Sequence, residues 1–322
     1  MLPSTLTLYL ISLLQATYAI DLTPLDAHES LKGAHRRDHS PSLQRRASRN
    51  VPPDGFYNPY ISGGKLLTLM ETYPPNQGEP LNAVISGNSD ERVLVDQEVE
   101  GGLRNYFLSL GFSGNCLGQK ADSFQAANLG DGNGDKNETS IMRWNYGDAQ
   151  LGSCKETIQG GNHFRYWIQD GKDANSGAIF MATSYEKPIA DHHDIIPDGY
   201  NLGRDWLVGN ITRSEIKGPN ITDGMTFSGN TSWSGYTYNT FIKYVGGILP
   251  NTSDGVNHNY SVPVDGINAS DGWLAVLEVK IVEAPSKPNS AINIAVPPPW
   301  QLLSFLVALA AFPSSLQVLS ML

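Results

Sequence analysis

Two strand-like segments, "NHFRYWIQ" and "GAIFMATSY", constrain the fold most strongly, because the short polar turn "DGKDANS" joins them. Two apolar or aromatic runs separated by such a turn predict a β-hairpin. A strand places alternate side chains on opposite faces. In the first segment the two sets are His163, Arg165 and Trp167 against Phe164, Tyr166 and Ile168. The chain is therefore predicted to contain an antiparallel sheet, one face of which carries a histidine and an arginine.

Other segments predict further strands and two helices. Apolar runs between turn residues predict strands at 64–73, 81–87, 140–146, 234–248 and 272–282. The last of these begins apolar on both faces, which is typical of a central strand. One helix is predicted where Val95, Val99, Leu103, Phe107 and Leu110 recur at helical spacing, and a short second helix at 201–211. The predicted class is α+β, a mainly antiparallel sheet with two helices packed on it.

The amino-terminal residues predict export from the cell. Residues 1–19 carry no charge and end in Thr17 and Ala19, small residues that fit a signal-peptide cleavage site. Residues 20–46 are polar and contain the pairs Arg36-Arg37 and Arg45-Arg46, which predict a pro-segment removed at dibasic sites. A folded domain is then expected at 47–283.

The carboxyl-terminal residues predict a lipid anchor. Residues 300–322 are apolar and uncharged, and no basic residue follows them. A linker at 284–299 contains the small residues Asn289 and Ser290, either of which fits a GPI-attachment site. A spanning helix is the alternative, although Pro313 disfavours it. The expected location is the extracellular cell surface, with the outer leaflet of the plasma membrane as a partner through the lipid.

Sequons and cysteines agree with a secretory route. Seven asparagines begin an N-x-Ser/Thr sequon: Asn137, Asn210, Asn220, Asn230, Asn251, Asn259 and Asn268. Cys116 and Cys154 are the only cysteines in the chain, and in an oxidising compartment they are expected to form a disulfide. The formal net charge of −10 excludes nucleic acid as an expected partner.

A cluster of histidines, arginines and carboxylates allows three interpretations. The first is a divalent metal site, which neither HExxH nor a regular ligand spacing supports. The second is a histidine acid–base group oriented by an aspartate, although no G-x-S-x-G motif or free cysteine supplies a nucleophile. The third is structural, with Arg–Asp pairs and histidines bonded to backbone carbonyls. The candidate residues are His163, Arg165, His193, Asp198, Arg204 and Asp205.

An alternating acidic loop raises the possibility of calcium. Four alternate positions, as at the start of a calcium loop, are occupied by Asp131, Asn133, Asp135 and Asn137. Lys136 stands where that loop needs glycine, and Met142 stands where it needs glutamate. A solvated Asx turn is therefore the preferred interpretation, and no metal or cofactor is predicted.

Several motifs together resemble one known family. In order they are "GEPLNAVISGNSDE", "GGLRNYFLSLGF", "GNHFRYWIQDG", "GAIFMATSYE", "HHDIIPDGYNLGRDWLV" and "DGWLAVLEV". Over about 78–282 the chain resembles the LssY C-terminal domain family, as a secreted fungal member would. The resemblance implies that the six candidate residues are the ones to mutate, but it implies no settled activity. Asn201 and Gly203 stand where the family usually has carboxylates.

Three functions are compatible with the sequence. The leading hypothesis is a GPI-anchored glycoprotein of a fungus-like eukaryote with a binding or structural role at the cell surface, and cell-wall polysaccharide as a further partner. The alternative is a surface hydrolase of a phosphate- or sugar-containing envelope substrate, which would use His163 or His193 with Arg165 or Arg204. A third is a sugar-binding module that stacks sugars on Trp233, Tyr236 and Tyr238.

Overall fold

The computed structural model describes residues 48–71, 74–119 and 124–286. These residues belong to one compact unit, which begins at Ser48. The expected signal peptide, the pro-segment, the attachment site at Asn289 or Ser290 and the apolar segment 300–322 lie outside the described residues. Within the described ranges, no helix has both the length and the apolar character needed to cross a membrane.

Three α-helices and twelve strands occur in the described part of the chain. The helices are α1 (Leu103–Ser109), α2 (Gly152–Gln159) and α3 (Gly199–Thr212). The strands are β1 (Ala83–Ile85), β2 (Phe112–Gly114), β3 (Ala126–Asn128), β4 (Asp135–Asn137), β5 (Ser140–Trp144), β6 (Gly161–Ile168), β7 (Ile179–Glu186), β8 (Thr226–Trp233), β9 (Tyr236–Val245), β10 (Asn251–Thr252), β11 (Ser270–Asp271) and β12 (Leu274–Glu283).

Eight strands form one sheet in the order β2-β5-β6-β7-β1-β12-β9-β8. Every neighbouring pair in it is antiparallel except β1 and β12, which are parallel. The predicted mixed α+β class with a mainly antiparallel sheet is confirmed. The strand predicted to be central, β12, lies inside the sheet between β1 and β9, which explains why its first residues are apolar on both faces.

The predicted hairpin is formed by β6 and β7. As the alternation requires, Phe164 and Tyr166 lie in the larger core, which also contains the apolar residues of α1 and α3. Trp167 lies in a second core on the other face, together with Leu81 and Phe180. His163 and Arg165 share the face of Trp167, so their polar side-chain atoms require partners beneath loops and α2.

The two predicted helices correspond to α1 and α3, but α1 is shorter than expected. Turns occupy the residues before it, where Glu100 and Gly101 have positive φ values of 56° and 75°. A side chain at position 101 would also come within 2.7 Å of the Tyr236 ring. The left-handed backbone therefore delays the start of the helix to Leu103.

Three further features differ from the sequence prediction. The segment predicted as a strand at 64–73 forms only isolated bridges at Leu67 and Leu69 among its described residues. The loop before β5 contains a small two-stranded sheet of β3 and β4. The helix α2 was not predicted, because several of its eight residues have weak helix propensity. These are a glycine, a serine, a cysteine, a threonine and an isoleucine.

The expected disulfide between Cys116 and Cys154 is present, with the two Cα atoms 4.5 Å apart. It connects the segment that follows β2 to the first turn of α2. A helix of eight residues is marginal alone, so its position depends on tertiary links such as this one. The disulfide therefore helps to hold α2 against β5 and β6.

Candidate functional site

Five ionisable side chains meet where α2 covers the ends of β5, β6 and β7, and we call them the Glu186 cluster: Arg143, Glu156, His163, Glu186 and His193. The register pairs Arg143 with His163, and His163 with Ser184, so that side chains of three strands share a row. Glu186 lies two residues beyond Ser184 and so on the same face. Glu156 comes from α2, and His193 comes from the loop that follows β7.

Arg143 and Glu186 connect the members of the cluster. Arg143 Nη1 lies 2.8 Å from Glu156 Oε2 and 3.4 Å from Glu186 Oε2. Glu186 Oε1 lies 3.3 Å from His163 Nε2, and Glu186 Oε2 lies 3.5 Å from His193 Nδ1. The structure therefore brings together the two candidate histidines, His163 and His193, and the Glu186 carboxylate lies between them.

Burial determines the protonation of the inner members. The side chains of His163 and Glu156 are 1% and 0% exposed. Burial lowers the pKa of His163 to about 4, so its ring is neutral at physiological pH. Burial also raises the pKa of Glu156 to about 7, although the charge of Arg143 acts in the opposite direction. Both groups therefore resist carrying a charge in the folded protein.

The pKa values of the outer members, Glu186 and His193, shift towards their charged forms. Burial opposes ionisation of Glu186, but His163, His193 and Arg143 together hold its pKa well below the usual value. Contact with Glu186 raises the pKa of His193, whose side chain is 28% exposed. On the solvent side His193 and Glu186 each favour the charged form of the other, and on the inner side a neutral imidazole lies beside a carboxyl group.

Two buried polar atoms in the cluster lack a hydrogen bond: Glu156 Oε1 and His193 Nδ1. The 3.5 Å separation of His193 from Glu186 is an ion-pair contact that is too long for a good hydrogen bond. Ser184 Oγ lies 3.4–3.5 Å from both ring nitrogens of His163, so it makes no well-aligned bond to either one. The cluster therefore has hydrogen-bonding capacity that the protein does not use.

Arg204 and Asp205 lie in a separate ion-pair network. Arg204 donates to Asp205 at 2.8 Å, to both carboxylate oxygens of Asp271 at 2.6 and 2.8 Å, and to the carbonyl of Trp273 at 2.9 Å. Tyr244 donates its hydroxyl hydrogen to Asp205 at 2.9 Å. The Arg204 side chain is fully buried, and its guanidinium is used internally rather than for a ligand. This is the Arg–Asp pairing of the structural interpretation.

The remaining candidates are also engaged locally. Arg165 pairs with the buried Glu138 at 2.7 Å, beneath the small β3–β4 sheet. Asp198 precedes α3 in a left-handed conformation with φ of 59°, and it accepts a hydrogen bond from Asn201 at 2.7 Å. Burial raises its pKa. Neither residue belongs to the Glu186 cluster.

The calcium-like loop forms the predicted Asx turn. The Asp131 carboxylate accepts hydrogen bonds from the backbone amide and the side chain of Asn133, at 3.0 and 3.1 Å. It also accepts from the backbone amide of Gly171 at 3.1 Å. These bonds use both oxygens of Asp131 within the fold.

An aromatic cleft of about 440 Å³ lies between the ends of β5, α3 and β8. Trp144 and Trp233 contribute to its walls, together with Asn145, Asn210 and Arg213. Trp233 is 39% exposed. Tyr238 belongs, with Trp233, to the set of aromatic residues proposed from the sequence to stack on sugars. It is fully buried and donates its hydroxyl hydrogen to Asn105. The sugar-stacking role of Tyr238 is therefore wrong.

Sequence reasoning missed Arg143, Glu156 and Glu186. The hairpin register contained a signal for Glu186, because extending the second strand by one residue places it on the His163 face. The alternation of "SIMRWNY" likewise places Arg143 opposite the face of Met142. Glu156 gave no comparable signal, since α2 itself was not predicted.

Comparison with protein-family models, curated proteins and solved structures finds no match for the chain. The LssY resemblance therefore rests on the quoted motifs alone. Gly203 lies where an added Cβ would come within 2.6 Å of the Ser184 Cα atom. No side chain fits there without a shift of α3 away from β7.

Proposed function

We propose that the chain is a GPI-anchored extracellular glycoprotein with an LssY C-terminal-like domain, and that it binds polysaccharide at the cell surface. The observation that carries the binding role is the aromatic cleft with Trp144 and Trp233. Tryptophan rings stack on the apolar faces of sugar rings, and the exposed guanidinium of Arg213 in the lining donates hydrogen bonds to hydroxyl groups.

The charge of the residues that line the cleft indicates which polysaccharides it can bind. Arg213 is the only charged residue that lines the cleft, although the whole chain carries a formal charge of −10. Arg213 lies at the carboxyl end of α3, is exposed, and has no ion-pair partner among the described residues. A neutral or anionic polysaccharide fits this lining, whereas a cationic one has no carboxylate to bind there.

The exposure of the sequons is consistent with an exported protein. Five of the seven sequon asparagines are exposed in the structure: Asn137, Asn220, Asn230, Asn251 and Asn268. Asn259 is half-buried. The disulfide also supports export, because disulfides form and persist in oxidising compartments.

Binding of the glycoprotein to insoluble cell-wall glucan, mannan and chitin tests the proposal. We expect one of these to retain the protein, and Trp233→Ala to weaken retention about tenfold through loss of a stacking surface. Trp206→Ala is a matched control, because Trp206 is 49% exposed but packs on Tyr185 outside the cleft. Equal loss in both variants, or no retention of the unmodified protein, would contradict a role for the cleft.

A second candidate is a surface hydrolase, which the convergence of His163 and His193 on Glu186 favours. His193 is the member of the pair that solvent reaches, so it would transfer the proton. Arg165 and Arg204 are ion-paired internally, which removes the expected anion-binding groups. Turnover of phosphate esters or glycosides that His193→Asn abolishes would support this candidate, and no turnover by the unmodified protein would reject it.

A further inference from the structure

Three potential metal ligands converge inside the Glu186 cluster. Glu156, His163 and Glu186 each offer one ligand atom, and these atoms all lie within 4.8 Å of one another. They come from three different elements, α2, β6 and β7, so the arrangement depends on the tertiary fold rather than on a local sequence motif. This explains why the spacing of residues in the sequence gave no sign of it.

Glu156 supplies a second observation. Its side chain is 0% exposed, and its Oε2 atom accepts a hydrogen bond from Arg143. Its other oxygen, Oε1, is buried and has no hydrogen-bond partner. A buried carboxylate oxygen without a partner is costly, and such groups in native proteins are commonly satisfied by a bound ion or water.

We propose that Glu156, His163 and Glu186 bind one divalent transition-metal ion, for which Zn²⁺ is the natural probe. The donor set is one imidazole nitrogen and two carboxylate oxygens, which suits Zn²⁺ and its neighbours. The hard cations Mg²⁺ and Ca²⁺ take oxygen ligands almost exclusively, so the buried imidazole disfavours them.

The geometry requires only a small adjustment. Zinc bonds of about 2.0–2.2 Å at tetrahedral angles place neighbouring donor atoms about 3.3–3.6 Å apart. His163 Nε2 and Glu186 Oε1 already lie 3.3 Å apart. The ligand atom of Glu156 lies within 4.8 Å of the other two, and Glu156 is the member that has to approach.

Arg143 orients the two carboxylates. Its guanidinium contacts Oε2 of Glu156 and Oε2 of Glu186, which leaves one Oε1 atom of each for the ion. Contacts of this kind behind metal ligands fix their orientation. His193 borders the Glu186 carboxylate on the solvent side, with its Nδ1 atom 3.5 Å from Oε2.

Zinc binding to the chelator-treated full-length protein tests the site by calorimetry and by metal analysis. All samples carry H28N, H35N and H39N, so that the histidines upstream of Arg46 do not contribute. We expect one equivalent of Zn²⁺ to bind, and Glu156→Gln to weaken binding at least about 100-fold, beyond the usual effect of losing an outer partner. Mg²⁺ is expected not to compete.

Glu138→Gln is the matched control, because Glu138 is also a buried partner of an arginine, at 2.7 Å from Arg165, but lies outside the cluster. We expect it to bind zinc as the parent protein does. Equal loss in both variants, or parent-like binding by Glu156→Gln, would overturn the proposal.

A second measurement covers the case in which Glu156→Gln does not fold. Co²⁺ added to the parent protein is expected to give visible absorption bands that one equivalent of Zn²⁺ removes. Absence of these bands would overturn the proposal without any variant of the cluster.

Discussion

Arg204 donates two nearly parallel hydrogen bonds to Asp271, at 2.6 and 2.8 Å, across 67 residues of sequence. The pair joins α3 to β11 just before the central strand β12. Arg204 also carries bonds to Asp205 and to the Trp273 carbonyl, so its charge is balanced inside the fold. Bidentate geometry of this kind is the strongest form of side-chain ion pair.

We predict that Asp271→Ala destabilises the protein by about 3–5 kcal/mol, because it leaves the buried Arg204 charge without its bidentate partner. Urea unfolding of the purified domain measures the change. Glu278→Ala is the control, since Glu278 forms a 3.0 Å pair with Lys280 in which both side chains are more than one third exposed. Glu278→Ala should lower the free energy of unfolding by less than about 1 kcal/mol. Similar values for the two variants would show that the Arg204 network is not structural.

The disulfide predicts a second stability effect. Replacing Cys116 and Cys154 with serine removes a link that spans 38 residues. In the chain-entropy model this costs about 4 kcal/mol, through the greater freedom of the unfolded chain. Unfolding of the double variant by urea gives the value, and the reduced parent protein should match it. A variant as stable as the oxidised parent would contradict the assigned role of this link.

The raised pKa of the buried Glu79 predicts that the stability of the protein depends on pH. Burial raises its pKa to about 7, against the attraction of Arg165 and a hydrogen bond from Gln125. Between pH 4.5 and 7 the unfolded chain loses this proton while the folded protein keeps it, so the free energy of unfolding falls as pH rises. The loss attributable to Glu79 is about 3 kcal/mol when complete, above pH 7.

Glu79→Gln should therefore be more stable than the parent at pH 8 and nearly equal to it at pH 4. Urea unfolding across this pH range measures both values. The exposed Glu98→Gln is the control, and it should leave the pH profile unchanged. If Glu79→Gln lowered stability at pH 8, the burial cost assigned to this carboxylate would be incorrect.

The burial of the Asn210 side-chain nitrogen predicts that this sequon carries no glycan, unlike an exposed sequon. Its Nδ2 atom, the position to which a glycan is attached, is buried and has no hydrogen-bond partner. Asn137, in contrast, is exposed. We expect Asn137→Gln to reduce the mass of the secreted protein by one glycan and Asn210→Gln to leave the mass unchanged. Mass spectrometry distinguishes these results, and a glycan at Asn210 would mean that α3 sits differently against its surroundings.

The alternation of side chains predicted much of the sheet. The hairpin of β6 and β7 and the central strand β12 follow from it, because burial on one or both faces leaves a direct trace in the sequence. Two helices were also predicted, although Gly101 moved the start of α1. The helix α2 left no such trace, since a disulfide and packing hold it rather than an apolar stripe.

The candidate site was predicted only in part, for the same reason. His163 and His193 were among the candidate residues, and the structure joins them through Glu186. The partners that give the cluster its chemistry, Glu156 and Arg143, come from elements that meet only in the tertiary fold. Arg204 was a candidate site residue, and the structure shows that Asp271 binds it inside the fold.

Treatment of intact cells with a GPI-specific phospholipase tests the central claim, that this domain is displayed outside the cell on a lipid. We predict release of a glycosylated chain that begins near Ala47 and ends near Asn289. Recovery of the protein from the cytosol, without glycans and with residues 300–322 still attached, would contradict the account.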